Sequence, residues 1–252
     1  MAEGNDVKVH FKALSGFLDK SDGRDKLLAA VQYAAMFVAA GQPGNVKKIQ
    51  ASVATARKVF RIMRPLEALG PLINTPGLAG GGRPLWIEAL IKLKPLLMSL
   101  YFGADHIVWV QQAGLMDNKG LTNRAQKASL YGWFGGSLCT IVLELYELAA
   151  VAARRPNESS EDYSARMAKA KPELNKRILT LVHACFQARQ GAALAMGLLE
   201  LRPWKPRTVG ALGIIASVMN CYMLYPSLPS PLFSGWGRGV KAPPRPPALK
   251  TA

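Results

Sequence analysis

The sequence predicts an all-α, multi-helical integral membrane protein with amphipathic surface helices and about two transmembrane spans. Three observations support this prediction. Hydrophobic residues make up 50% of the 252 residues, although the chain carries a net charge of +16. The segment 52–69 has separate basic and apolar faces when it is placed on a helical wheel. Two apolar runs, 128–153 and 208–225, have the length and composition of membrane-spanning helices.

Amphipathic helices are predicted for the N-terminal part of the chain, over residues 7–69. The first two cover residues 7–18 and 24–40, and the turn residues 41–44 (GQPG) end the second helix. The third extends over 46–69. Pro65 lies inside it and cannot donate a backbone hydrogen bond, which predicts a kink or a restart at that point.

The third of these helices is the candidate membrane-binding segment. Its basic residues occupy an arc of roughly 120° on the wheel, and apolar residues fill most of the remainder. An Arg-rich helix of this kind suits a membrane surface, where the apolar face drives insertion and the basic face selects anionic lipid. The alternative is the outer wall of a globular core. The candidate residues are Arg57, Lys58, Val59, Phe60, Arg61, Ile62, Met63, Arg64, Leu66 and Leu69.

Further apolar helices are predicted over 85–115, with an interruption at Pro95, and over 176–201, after a polar loop at 154–171. The run 208–225 is the better candidate span, because its residues rise about 27 Å and the hydrocarbon core is ~30 Å thick. A buried core helix is the alternative for this run. The chain ends in a tail, 226–252, that is rich in Pro, Gly and Ser and is expected to be disordered.

Charged residues inside the apolar stretches suggest a second use of these helices. Glu144 and Glu147 weaken the run 128–153 as a span, because carboxylates are costly in lipid. Intramembrane charges often line water-filled paths, so Glu144, Glu147 and Arg189 are possible pore-lining residues.

Small residues mark a candidate helix-packing face in the last span. Gly213, Ser217 and Cys221 are spaced by four, which places them on one side of a helix. Such a face lets another helix approach closely, either within the chain or in a homo-oligomer.

The sequence does not predict catalytic chemistry. His10, His106 and His183 are scattered and lack metal-ligand spacing, so we expect no catalytic residues, no metal site and no cofactor. The three cysteines are far apart and do not indicate a disulfide framework. A soluble nucleic-acid-binding protein is a further alternative for a basic chain, but the charge is spread without a basic stripe, and the apolar composition favours lipid as the partner.

Several short motifs together resemble the peroxin-11 family of peroxisomal membrane proteins, in the form of its plant and algal members. They occur in the family's order over residues 15–225. The motifs are 18–27 (LDKSDGRDKL), 41–44 (GQPG), 56–61 (ARKVFR), 105–109 (DHIVW), 136–140 (GSLCT), 144–148 (ELYEL), 197–201 (GLLEL) and 208–213 (TVGALG).

The resemblance implies one helical membrane domain over residues 1–225 in the peroxisomal membrane, crossing it more than once with both termini in the cytosol. It implies membrane elongation and remodelling before peroxisome division, which controls proliferation, through the amphipathic helix and self-association. The implied partners are membrane phospholipids, further copies of the chain, and fission factors with dynamin-like GTPases. The alternative function is a pore for small metabolites across the same membrane.

Overall fold

The structure is a computed structural model that describes residues 2–74, 82–198 and 204–225. All regular secondary structure in these ranges is α-helical, as predicted. The tail 226–252 and most of the Gly- and Pro-rich stretch after Asn74 lie outside the described residues. The helices are α1 (Ala2–Leu18), α2 (Ser21–Ala39), α3 (Asn45–Val59), α4 (Arg64–Asn74), α5 (Leu85–Gln112), α6 (Lys119–Ala152), α7 (Ser160–Leu198) and α8 (Pro206–Leu224).

The predicted third helix is two helices in the structure, α3 and α4. The first ends at Val59, and Met63 takes a left-handed backbone conformation with φ of 72° before α4 begins at Arg64. Pro65 therefore lies in the first turn of α4, where a missing N–H leaves no helical hydrogen bond unmade. The restart is confirmed, and a single helical wheel over 52–69 is wrong beyond Val59.

Two other predicted boundaries are wrong. α5 continues through Pro95, which is buried in a helix that packs against both α4 and α6. The predicted loop 154–171 is mostly helix, because α7 already begins at Ser160. Its start is capped by Ser159, whose Oγ accepts a hydrogen bond of 3.0 Å from the N–H of Asp162 and donates one of 2.7 Å to its carboxylate. Ser159 is thus the N-cap residue of α7.

Six helices close into a ring. Around it, α2 packs against α8, α8 against α7, α7 against α6, α6 against α5, α5 against α3, and α3 against α2. α1 contacts α2, and α4 contacts α5. Because α2 packs against α8, the ring needs helices from both the N-terminal and the C-terminal half of the sequence to close.

Small side chains fill the spaces between the helices. Ala accounts for ten of the sixteen buried apolar residues in the described part of the chain. Glycines bring backbones into contact: a Cβ at Gly132 of α6 would lie 2.6 Å from the carbonyl oxygen of Leu97 in α5. A Cβ at Gly210 of α8 would lie 2.7 Å from the backbone nitrogen of Phe37 in α2. Such contacts are typical of helices that associate in a membrane.

Large apolar side chains lie on the outside of the molecule, and each of the helices α1 to α8 carries at least one. Helices α6 and α8 are long and apolar enough to cross a membrane. Only 17% and 28% of their most apolar stretches are buried inside the molecule. A core helix of a soluble protein would bury most of its apolar residues, so this arrangement favours spans over buried core helices.

The contact at Gly132 gives a test of the packing between α5 and α6. We expect Gly132→Ala to lower the free energy of unfolding by about 1–3 kcal/mol, because the added methyl group forces the two backbones apart. The measurement is denaturant unfolding of the purified chain in detergent micelles, followed by circular dichroism.

Gly103→Ala in α5 is the matched control. Nothing lies within 4 Å of a Cβ at this helical position. Alanine there should be neutral or stabilise the protein by up to about 1 kcal/mol. Equal effects of the two substitutions would contradict the close approach of α5 and α6.

Candidate functional site

The basic residues of the candidate membrane-binding segment face the protein. Arg57 of α3 and Arg61 of the α3–α4 turn are only 7% and 8% exposed. Arg64, at the start of α4, pairs with Asp22 of α2. The polar face of this segment is therefore a contact between helices. We call the following residues the ion-pair cluster: Asp25, Lys26, Arg57, Lys58, Arg61 and Asp105.

Asp25 of α2 is the centre of the ion-pair cluster. Its Oδ1 accepts hydrogen bonds from the Nε atoms of both Arg57 and Arg61, each at 3.0 Å. Lys26 Nζ lies 3.1 Å from the other carboxylate oxygen. Arg57 also donates to the side-chain oxygen of Gln32, about two turns further along the same face of α2, at 2.6 Å. One carboxylate thus holds α3 and the turn that follows it against α2.

Arg61 connects the same turn to α5. Its Nη1 donates to the hydroxyl oxygen of Tyr101 at 2.7 Å and to Asp105 Oδ2 at 3.1 Å. Tyr101 and Asp105 are four residues apart and so share one face of α5. Lys58 Nζ lies 3.9 Å from the second oxygen of Asp105. The guanidinium group of Arg61 is therefore shared between α2 and α5.

Asp25 and Arg61 stay ionised because their partners in the cluster stabilise their charges, whereas burial lowers the pKa of Lys26 and of Lys58. Burial by itself would raise the pKa of Asp25, but the charges of the neighbouring Arg61, Lys26 and Arg57 outweigh it and hold that pKa well below its usual range. Burial would lower the pKa of Arg61, but Tyr101 and two carboxylates outweigh it and raise that pKa. Burial also raises the pKa of Tyr101.

The apolar side of the segment faces outward. We call Val59, Ile62, Met63 and Leu66 the apolar ridge. Their exposed fractions range from 45% to 62%. Phe60 and Leu69, the other apolar candidates, are half-buried. Ala56 is exposed on α3. The break between α3 and α4 places the ridge on the turn and the start of α4, and not along one straight helix.

Sequence reasoning named the residues of this segment but missed the partners of its basic side chains. Leu27 and Val31 belong to the apolar pattern that predicts α2, yet both side chains are exposed. Asp25, in the same helix, is buried. The signal was available in principle: Asp25, Ala29 and Gln32 follow helical spacing and form a face of small and polar residues. Such a face suits an ion pair between helices.

The possible pore-lining residues lie in two places in the structure. Glu144 and Glu147 of α6 come together at Arg177 of α7, whose guanidinium nitrogens lie 3.2 Å and 3.6 Å from their carboxylates. Arg189 is exposed elsewhere on α7, and its guanidinium carbon lies 5.2 Å from the centre of the Trp204 ring.

The helix-packing residues of α8 are used within the chain. A Cβ at Gly213 would collide with the ring of Tyr33 from α2 and would lie 2.5 Å from the amide nitrogen of Gln190 from α7. Ser217 is 3% exposed, and Cys221 is half-buried. Of the two readings of this face, the structure shows the contact within one chain.

Within the described residues, no group of three or more His, Cys, Asp or Glu side chains could hold a metal ion. The three cysteines are free thiols: Cys139 is buried, Cys185 is exposed, and Cys221 lies between these extremes. What the described residues of the site provide is charge pairs and an exposed apolar surface.

Removing the central charge tests the ion-pair cluster. We expect Asp25→Asn to lower the free energy of unfolding by about 3–5 kcal/mol, because it leaves two buried guanidinium groups without their shared carboxylate. The measurement is again denaturant unfolding in micelles. Asp19→Asn, at an exposed position in the α1–α2 link, is the control and should change stability by less than about 0.5 kcal/mol. Similar effects of both substitutions would contradict a central role for Asp25.

The lowered pKa of Asp25 predicts an acid-sensitive fold. A carboxylate whose pKa is lower in the folded than in the unfolded state stabilises the fold fully above its unfolded pKa of about 4, and this stabilisation is lost as the pH falls below that value. The midpoint of thermal unfolding should therefore fall as the buffer is taken from neutral pH to below about pH 4. Asp25→Asn should flatten this dependence, and an unchanged slope in that variant would argue against the assignment.

Comparison with known proteins identifies the family. The family described as "Peroxisomal biogenesis factor 11 (PEX11)" matches residues 11–225. Peroxisomal membrane protein 11D of Arabidopsis thaliana is 34% identical over 225 residues, which cover 84% of this chain and 91% of the relative. Peroxisomal membrane protein 11-1 of Oryza sativa subsp. japonica is 35% identical over 219 residues, with 84% and 90% covered. No solved structure matches the chain. The resemblance carried by the short motifs is thus confirmed, and the chain belongs to the PEX11 family of peroxisomal biogenesis factors.

Proposed function

We propose that this protein elongates and remodels the peroxisomal membrane before peroxisome division by inserting its apolar ridge into one leaflet. Membership of the PEX11 family supports a role in peroxisome biogenesis and proliferation. The PEX11 family is not an enzyme family. The observation that carries the proposed mechanism is the outward position of Val59, Ile62, Met63 and Leu66 above a buried ion-pair cluster.

The ridge is large enough to hold the segment at a membrane. Burying a large apolar side chain completely contributes about 1.5–3 kcal/mol. The four side chains of the ridge are roughly half exposed, so completing their burial in lipid contributes on the order of 4 kcal/mol. The segment is already folded in the protein, so insertion does not bear the entropic cost of forming a helix.

The ion-pair cluster gives the ridge a rigid support. Arg61 lies at the turn, directly beside Ile62, and is bonded to both α2 and α5. A ridge held in this way inserts as a wedge, because its side chains cannot withdraw without breaking buried ion pairs. Added area in one leaflet favours curvature of the whole membrane.

The cluster also changes which residues can contact lipid headgroups. Arg57 and Arg61 are paired inside the protein, so they do not offer their charge to a membrane in this conformation. Lys47 and Lys48, at the start of α3, are exposed. We infer that they supply the attraction to anionic phospholipids, about 1 kcal/mol for each charge near the surface.

Self-association and fission partners complete the proposed function. The small-residue face at Gly213 and Ser217 packs within the chain, so copies would associate through the outer apolar surface of the ring. Two crossing helices, α6 and α8, would place both termini on one side of the membrane. We propose that this side is the cytosol, where fission factors and dynamin-like GTPases can reach the protein.

A metabolite pore is the less supported alternative. Glu144 and Glu147 are paired with Arg177, and Arg189 lies apart from them. A pore built on these three residues would require a different arrangement of α6 and α7.

Placing charge on the ridge tests the proposed mechanism. We expect the double substitution Met63→Asp and Leu66→Asp to abolish tubulation of anionic vesicles by the reconstituted full chain, because a carboxylate cannot enter the apolar part of a leaflet. Peroxisomes in cells that express this variant should remain round. Both positions are exposed, so the fold and the midpoint of thermal unfolding should change little.

The matched control puts the same charges, also three residues apart, at exposed polar positions near the start of α6, with Asn123→Asp and Gln126→Asp. This variant should tubulate vesicles as the unmodified chain does. If the ridge variant also elongates membranes normally, ridge insertion is not the mechanism, whatever the role of the family.

A further inference from the structure

A polar cavity lies inside the helix ring. It has a volume of about 70 Å³, and all six ring helices contribute to its wall. Lys26, Arg57 and Arg61 line it, together with Tyr101, Trp133 and Gln190. We propose that this cavity binds a phosphate group, supplied either by a small phosphate or by the headgroup of a lipid. The proposal does not depend on insertion of the apolar ridge.

The charge of the wall points to an anion. The cavity is lined by three cationic side chains and, among the described residues, by no carboxylate, since neither Asp25 nor Asp105 is part of its wall. In the ion-pair cluster as a whole, four cations face two carboxylates. Buried charges are stable when they are paired, so a cavity wall whose cations outnumber their carboxylates suits an anionic ligand.

Gln190 supplies an independent indication of a ligand. Its side chain is 1% exposed, lines the cavity, and has an amide nitrogen with no hydrogen-bond partner. The neighbouring Gln187 differs, because its oxygen accepts from the indole of Trp133 at 2.8 Å and its nitrogen contacts His183 at 3.0 Å. A buried amide N–H group without a partner is rare in a folded protein and indicates an acceptor that completes the site.

The size of the cavity agrees with the chemistry. A cavity needs on the order of 10–15 Å³ to hold one water molecule, so about 70 Å³ holds roughly five atoms of that size. A phosphate group has five heavy atoms, and its oxygens accept hydrogen bonds from guanidinium, ammonium and amide donors alike.

The test begins with the unmodified full chain in an uncharged detergent and a buffer without phosphate or sulfate. Thermal unfolding is measured with inorganic phosphate, glycerol 3-phosphate, or short-chain phosphatidic acid below its micelle concentration, against chloride at equal ionic strength. A saturable rise of the unfolding midpoint with any of the three supports the proposal. A rise with inorganic phosphate identifies a site for the free ion, and a rise with phosphatidic acid alone identifies a lipid headgroup. No rise beyond chloride with any of them overturns the proposal.

Gln190→Glu separates a ligand site from a merely polar cavity. It places a carboxylate where the phosphate would lie, so it should raise the unfolding midpoint of the ligand-free protein and remove the response to phosphate. Gln42→Glu adds the same charge at an exposed loop position and should do neither. A Gln190→Glu variant that still responds to phosphate as the unmodified chain does would overturn the proposal.

Lys26→Gln is a second variant that does not rely on filling the cavity. Asp25 keeps its bonds to both arginines when Lys26 is removed, so the fold should persist. Loss of one charged hydrogen bond should weaken phosphate binding about tenfold or more. An unchanged affinity in this variant would count against the proposed site.

Discussion

The buried carboxylate of Asp25 decides which way the α3–α4 segment faces. Two guanidinium groups cannot lie inside a protein without countercharge, because the cost of removing them from water is several kcal/mol for each. Asp25 accepts a hydrogen bond from each of them, and Asp105 provides a second carboxylate for Arg61. With the basic face bound to α2 and α5, the apolar face is left outside.

The rest of the structure follows the same arrangement, with polar groups and small residues inside and large apolar residues outside. In lipid, a leucine gains little from being buried in protein, because its surroundings are as apolar as a protein core. Helices then associate where side chains are small enough for close approach, as at Gly132 and Gly210, and where polar groups pair. Both conditions are met along the inner faces of the ring, which explains why Ala and ion pairs, and not large apolar residues, hold it together.

One constraint therefore links the outer surface of the protein and its interior. The arginines that turn the apolar ridge outward also line the central cavity. Their shared position explains why the segment is so strongly basic although its charge does not reach the surface. A helix that only needed to attract anionic lipid could keep its charges exposed, as Lys47 and Lys48 are.

Much of the fold was predictable, because helices depend on local features. Apolar periodicity located the helices, and the residues 41–44 and Pro65 located two of the breaks. The predictions were wrong where local signals were overridden. Packing on both sides keeps α5 helical through Pro95, and the N-cap Ser159 begins α7 inside a stretch whose charge resembled a loop. In the candidate site, the helical wheel separated the basic and the apolar face of residues 52–59 correctly. It predicted that both faces meet the membrane, whereas the structure buries the basic face.

By itself, the sequence determined the helical class, the two candidate spans, the family, and the existence of one basic and one apolar face in the third amphipathic segment. The tertiary structure decided which of these faces meets the outside and which residues surround the cavity. The reason is that the deciding contacts join distant parts of the chain. Asp25 meets Arg57 and Arg61 across 32 and 36 residues, and the ring closes only when α8 packs against α2. Periodicity reports the faces of one helix, but the partner of each face depends on how all the helices assemble.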